Sequence, residues 1–117
     1  MRSLVTGGAG FIGSHLVEKL LSLGHSVTVI DNYSTGRKAN LDFLKSNKAL
    51  KIAEADIADF SAVEPHFQGV DWVFHIASLA DIVPSIQNPL AYHRSNVDGT
   101  AAVLEASRRH GVKRFQY

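Results

Sequence analysis

Apolar positions along the chain alternate between a spacing of two and one near 3.6, which marks strands separated by helices. Leu4-Val5, preceded by Arg2 and Ser3, forms a short first strand that breaks at Gly7-Gly8-Ala9-Gly10. Phe11 to Leu23 reads as a helix with Ile12, Leu16, Leu20 and Leu23 on one face and Gly24 as its stop. Val27 to Ile30 is a second strand closed by Asp31. The polar run Asn32 to Lys38 is a loop leading into a brief helix over Leu41 to Leu44. Leu50 to Ala55 gives a third strand, after which Asp59 or Ser61 caps a short helix that ends near Gly69. Asp71 to Ile76 is a fourth strand. Ser78 to Gln87 carries a proline and no period and reads as loop, whereas Asn88-Pro89 opens a long helix to about His110. Gly111 ends it, and Arg114 to Tyr117 starts a fifth strand in which the chain stops.

Each helix returns the chain to the same end of the sheet, so the strands are parallel and the crossovers right-handed. The expected class is α/β: an open, doubly wound sheet of strand order 3-2-1-4-5, one domain over residues 1–117. A ligand site belongs at the carboxyl ends of strands one and four, where the strand order reverses.

Composition narrows the chemistry. A net charge of +1 over 117 residues gives no basic field for nucleic acid or an anionic membrane. Without cysteine there is no thiol nucleophile and no Cys-ligated metal, and the six histidines stand apart with no H-E-x-x-H pair, so no metal site is expected. No leader or membrane-spanning run is visible, which makes the cytoplasm the expected location.

Thr6 to Gly13 reads either as G-x-G-x-x-G on Gly8, Gly10 and Gly13 or as G-x-x-G-x-x-G on Gly7, Gly10 and Gly13. In both registers the glycines permit a sharp turn, close backbone approach to a pyrophosphate and tight helix–sheet packing, with the helix amino end facing the phosphates. The second strand ends in Asp31, whose carboxylate can accept from ribose hydroxyls and repel a 2′-phosphate, so NAD is favoured over NADP. Arg37 alone argues the other way and reads as a solvated loop cation. No G-x-x-x-x-G-K-[ST] stretch supports a P-loop. Asp56 is open to two readings, accepting an adenine amino group beside Ile57 or capping the next turn. Ala77 and Ser78 are small enough to let a ligand lie on the backbone after strand four, while His75 reads as a structural histidine. Asn96, Gly99 and Thr100 share a helix face. Asn96 is placed to tie the loop after strand four, Gly99 implies close approach of another backbone or of the cofactor region, and Val97, Ala101 and Leu104 are expected to pack on the adjoining stripe.

Thr6 to His15, Asp31-Asn32, Ser34-Thr35-Gly36, Asp56-Ile57, His75-Ile76-Ala77 and Asn96 to Thr100 together resemble the extended short-chain dehydrogenase/reductase family, nearest its NAD-dependent epimerases and dehydratases of the UDP-glucose 4-epimerase kind. The resemblance spans the chain and implies a Rossmann-type sheet holding NAD through Gly7, Gly10, Phe11, Ile12 and Gly13. It adds Asp31, Asn32, Ser34, Thr35 and Gly36, then Asp56 and Ile57, and finally Ile76, Ala77, Ser78, Ala80 and Asn96. It also implies hydride transfer to and from the cofactor through a 4-keto sugar, a homodimeric parent, and Ser85 near a UDP-sugar. Two departures are Ser78, where Ala or Gly is usual, and Ala80, where some epimerases carry a Lys.

The family's Tyr-x-x-x-Lys pair is absent: Tyr33 is followed by Arg37, Tyr92 by Asn96, and Tyr117 is the last residue. The expectation is therefore the amino-terminal NAD-binding part of a larger enzyme, with no catalytic residue of its own. A stand-alone, non-catalytic dinucleotide-binding module is one alternative, and a nucleotide-sugar dehydratase or decarboxylase of the same family is the other.

Overall fold

The computed structural model describes residues 1–117 throughout. Strands β1 (Arg2–Thr6), β2 (Ser26–Asp31), β3 (Leu50–Glu54), β4 (Trp72–His75) and β5 (Arg114–Gln116) form one parallel sheet in the order β3-β2-β1-β4-β5. This is the expected doubly wound topology. Between β1 and β4, Thr6 stands directly opposite His75, so both strands end at the same level of the switch point.

Alternation along β1 sends Val5 to one face and Leu4 to the other. On the first face Val5, Val27 and Val29 pack with Ala9, Leu41 and helix α1 (Phe11–Ser22). On the second, Leu4, Ile30 and Val73 meet Ile57, Phe67, Val103 and Ala106. The buried stripe of α1 is Gly13, Ser14, Val17 and Leu20, so the expected face is shifted. Ile12 (67% exposed) and Leu23 (62%) lie outside the core, because the helix enters from a glycine turn that brings Gly13 rather than Ile12 against the sheet.

After β2 the chain makes a 3-10 run, Lys38–Leu44. Helix α2 (Phe60–Val63) follows β3, with the Asp59 carboxylate accepting from the Ala62 amide, and continues as a 3-10 turn, Glu64–Phe67. The segment after β4 departs from expectation: Ile82–Gln87 is a helix, α3. Pro84 is tolerated because it falls in the first turn, where its missing N–H has no intrahelical acceptor to lose. Helix α4 (Pro89–His93) starts at the expected cap, with Asn88 Oδ1 accepting from the Ala91 amide. The long helix is not uniform. Arg94–Asp98 is a π turn, and α5 (Gly99–Arg109) carries the run onward with Val103, Ala106 and Ser107 buried. Val97 (53%) and Leu104 (47%) are exposed, and Ala101 with them, which corrects the expected stripe. No helix is long and apolar enough to cross a membrane.

Candidate functional site

A cleft of about 290 Å³ opens at the carboxyl ends of β1 to β4. Its first wall is the glycine turn. Gly7 sits at φ +72°, and a Cβ there would lie 2.8 Å from the Ala77 backbone, so only glycine fits both the conformation and the space. A Cβ on Gly13 would come within 2.1 Å of the Gly7 carbonyl oxygen. Gly10 is different. Its would-be Cβ has nothing nearer than that same oxygen at 3.4 Å, and it faces the cleft as the N-cap of α1, with no side chain capping the helix. The amides of Phe11, Ile12 and Gly13 thus head the helix without intrahelical acceptors, beside its partial positive end. Gly8 points away into Val29, so of the two glycine registers it is Gly7, Gly10 and Gly13 that line the cleft.

The second wall is Asp31, Asn32, Ser34, Thr35 and Gly36. Asp31 is only 8% exposed. Its Oδ2 accepts from the Ala9 amide at 2.9 Å and its Oδ1 from the Tyr33 amide at 2.8 Å. The carboxylate therefore ties the glycine turn to the end of β2, and each oxygen retains a lone pair for a further donor. The Ala9 carbonyl is held in turn by the Arg37 amide (3.0 Å) and Asn40 Nδ2 (2.8 Å), clasping the loop against the turn. Tyr33 takes a positive φ of 59°, a strain the sequence pattern does not signal. The Arg37 side chain is exposed.

Asp56 and Ile57 close the far end, with Ile30 and Ala55 beside them. Of its two readings, the turn-capping one is present: Asp56 Oδ1 accepts from the Ala58 amide at 3.0 Å, while Oδ2 takes the Arg94 guanidinium. Partial burial works against the charged form of Asp56. The hydrogen bonds from Arg94 and the Ala58 amide, with the Arg94 charge, outweigh it and hold the carboxyl below its ordinary value. Ile57 is buried and lies in the space left by Gly99, whose Cβ would meet Ile57 Cδ1 at 2.6 Å. The close approach implied by that glycine is thus to a side chain.

Ile76, Ala77 and Ser78 form the last wall, joined by Leu79 and by Ser95 of the π turn, neither of which the sequence pattern singled out. Thr6 Oγ1 accepts from the Ile76 (3.1 Å) and Ala77 (3.2 Å) amides, filling both of its lone pairs, so its proton goes to His75 Nδ1 at 2.7 Å. Thr100 Oγ1 gives its proton to the Asn96 carbonyl (2.7 Å) and accepts from His75 Nε2 at 2.8 Å. His75 is therefore neutral with its proton on Nε2, and burial keeps its pKa below the ordinary value. Asn96 holds the Leu79 backbone from both sides, Oδ1 accepting from its amide at 2.8 Å and Nδ2 donating to its carbonyl at 2.9 Å. Three residues expected at the site do not line the cleft. Asn96 acts one step back through Leu79, Ala80 is exposed beyond the rim, and Ser85 turns its hydroxyl to the Ile82 carbonyl within α3.

The sequence profile of the NAD dependent epimerase/dehydratase family matches residues 3–117. The chain belongs to this family. It is 43% identical to UDP-glucuronic acid decarboxylase 1 of Arabidopsis thaliana over 97% of its own length and 25% of that protein's. It superposes on UDP-glucose 4-epimerase of Thermotoga maritima, solved with UDP-glucose, with a TM-score of 0.90 at 40% identity, covering 98% of this chain and 36% of that one. For dTDP-glucose 4,6-dehydratase of Streptomyces venezuelae, solved with NAD, the TM-score is 0.92 at 35% identity, covering 98% and 38%. The chain thus spans between a quarter and two fifths of these relatives.

Proposed function

We propose that the chain is the NAD-binding part of a nucleotide-sugar epimerase, or of a decarboxylase or dehydratase relative, whose substrate is a UDP-sugar. The observation that carries this is the uncapped amino end of α1 over Gly10, open to the cleft and flanked by two glycines that admit no side chain. Such an arrangement suits a pyrophosphate, with the Phe11 and Ile12 amides as donors. Asp31 keeps acceptor capacity for ribose hydroxyls, and Ile57 offers an apolar surface for a base. Small residues at Ala77 and Ser78 leave room along the end of β4 for the other half of a dinucleotide. When bound, NAD supplies hydride uptake and return. These residues bind and orient, and none is placed to move a proton, since both ring nitrogens of His75 are committed. The acid–base pair of the family is not among these residues, so the chain by itself should turn over no UDP-sugar. We read the parent as a cytoplasmic homodimer whose contact includes the exposed Val97 and Leu104.

Calorimetric titration of the full chain tests this reading: NAD is expected to bind more tightly than NADP. Asp31→Asn should lower that ratio about tenfold by removing a charge-assisted acceptor. Absence of binding by either dinucleotide overturns the proposal, as does UDP-glucose 4-epimerisation by the homogeneous chain.

A further inference from the structure

The largest hollow in the molecule is not the cleft at the carboxyl ends of the strands. A groove of about 610 Å³ lies at the opposite end of the sheet, where β1, β2 and β3 begin, and falls in the size range of small-ligand sites. Strand alternation sets its floor. Arg2, Thr28 and Lys51 take the same face as Leu4, Ile30 and Ala53, each two positions before the core of that face starts. Its wall is the turn from Pro65 to Val70, which carries His66 and Gln68. Gly69 sits at φ +76° in that turn, and the Arg2 guanidinium occupies the place a side chain would take there, with Nη1 2.8 Å from an added Cβ.

Lys48 completes the rim, so four basic side chains and no acidic one line the groove. In a chain of net charge +1 this is a local concentration of charge, not an overall excess. Six other lysines and arginines stand within 4.0 Å of a carboxylate, whereas Arg2, Lys48 and Lys51 have none at that distance. Asp71, beside the start of β1, is committed elsewhere: it accepts from the Arg2 amide and pairs with Lys113. His66 registers the result, since burial and then the Lys51 charge hold its pKa below the ordinary value.

Arg2 and Lys51 stand two strands apart, about 10 Å across the sheet. That spacing suits the two ends of an extended anion, with the Ser26 and Thr28 hydroxyls as neutral donors between them. A row this short fits a small, densely charged ligand, whereas a nucleic-acid strand needs a longer basic track. We infer that this groove is a second binding site, independent of the dinucleotide cleft, for a short chain of phosphate groups. Free oligophosphate and the tail of a nucleoside triphosphate share that chemistry.

Nuclear magnetic resonance titration of the full chain with sodium tripolyphosphate reads the two sites separately. The Ser26, Gln68 and Gly69 amides are expected to shift, and the His66 pKa to rise by about one unit, because a facing anion favours the imidazolium. Arg2→Gln combined with Lys51→Gln should weaken the affinity read at these amides at least about tenfold, whereas Lys19→Gln, which removes a cation of α1 outside the groove, should leave it within about twofold. All three side chains are exposed, and unchanged amide spectra away from the groove check that the variants fold. A parallel titration with ATP separates the sources: an affinity at the same amides equal to or weaker than that of tripolyphosphate assigns the groove to free oligophosphate, and a tighter one to a nucleotide. A spectrum unmoved at the groove, or moved only from Gly10 to Gly13 where α1 begins, overturns the inference, as does a loss with Lys19→Gln equal to that of the double variant.

Discussion

The two sides of the cleft are held by different means. At the β1–β4 junction, backbone lies on backbone and every buried polar atom is paired: Gly7 against Ala77, Gly13 against Gly7, Thr6 and Thr100 on either side of His75. The rim from Ile82 to His93 is a pair of short helices carrying Ile82 (77% exposed), Ile86 (75%) and Leu90 (80%) to the surface. It is tied down by little more than the Asn96 bonds to Leu79 and the Tyr92 hydroxyl donating to the Asp81 carbonyl. The contrast shows where this sequence enforces geometry. The glycine wall has one workable arrangement, whereas the rim tolerates change until something covers it.

Substitutions should reveal the contrast as a gradient. Gly13→Ala heads it, because a methyl 2.1 Å from a backbone carbonyl cannot be relieved by rotating a side chain. A loss of at least about 3 kcal/mol in urea unfolding is expected, with dinucleotide binding lost as well. Thr6→Val follows. It strips the Ala77 amide of its acceptor and His75 of its donor, leaves the Ile76 amide only the Thr6 carbonyl, and should cost about 2–3 kcal/mol at an unchanged m-value. Asn96→Ala should cost about 1–2 kcal/mol, and faster amide exchange confined to the segment around Leu79 would show that the loss is local. At the bottom, Ile86→Ser should change stability by no more than about 0.5 kcal/mol. A loss there as large as that of Thr6→Val would erase the distinction between the two sides.

Acid should weaken the junction before the rim. Burial lowers the pKa of His75, and burial together with Lys51 lowers that of His66. Below the ordinary histidine value of about 6.5 the unfolded chain therefore binds protons that the folded chain refuses. Stability is fully present above that pH and declines as the pH falls through the folded-state values. Melting temperatures measured from pH 7.5 to 5 should show this decline, and the part that survives His66→Gln belongs to His75.

Much of this organisation is legible in local sequence. Gly24, at φ +87°, ends α1, and Asp59 and Asn88 cap their helices, because capping chemistry involves neighbours a few residues apart. The strand order follows from the alternation of elements, and Gly10 and Gly13 from their spacing, whereas the choice of Gly7 over Gly8 needs the structure, which turns Gly8 into Val29. What escapes local reading depends on distant partners or on register. Asp56 announces a turn cap, but its tie to Arg94 lies 38 residues away. Ser78 to Gln87 lacks a period because a six-residue helix with no buried residue has no face to encode. The π turn leaves no compositional trace, and Val97 and Leu104 face outward because the core stripe of α5 is Val103, Ala106 and Ser107, one position off the stripe that carries Leu104.

The proton order around His75 has a consequence of its own. Thr6 points its proton at Nδ1, Nε2 points its proton at Thr100, and Thr100 points its proton at the Asn96 carbonyl, so the four dipoles run head to tail in one direction. Reversing the His75 tautomer would set the Nδ1 proton against that of Thr6 and bring two lone pairs together at Thr100. The end of β1 is thereby wired to the helix beyond β4 with a fixed polarity, from the strand that enters the glycine turn to the π turn that carries Asn96.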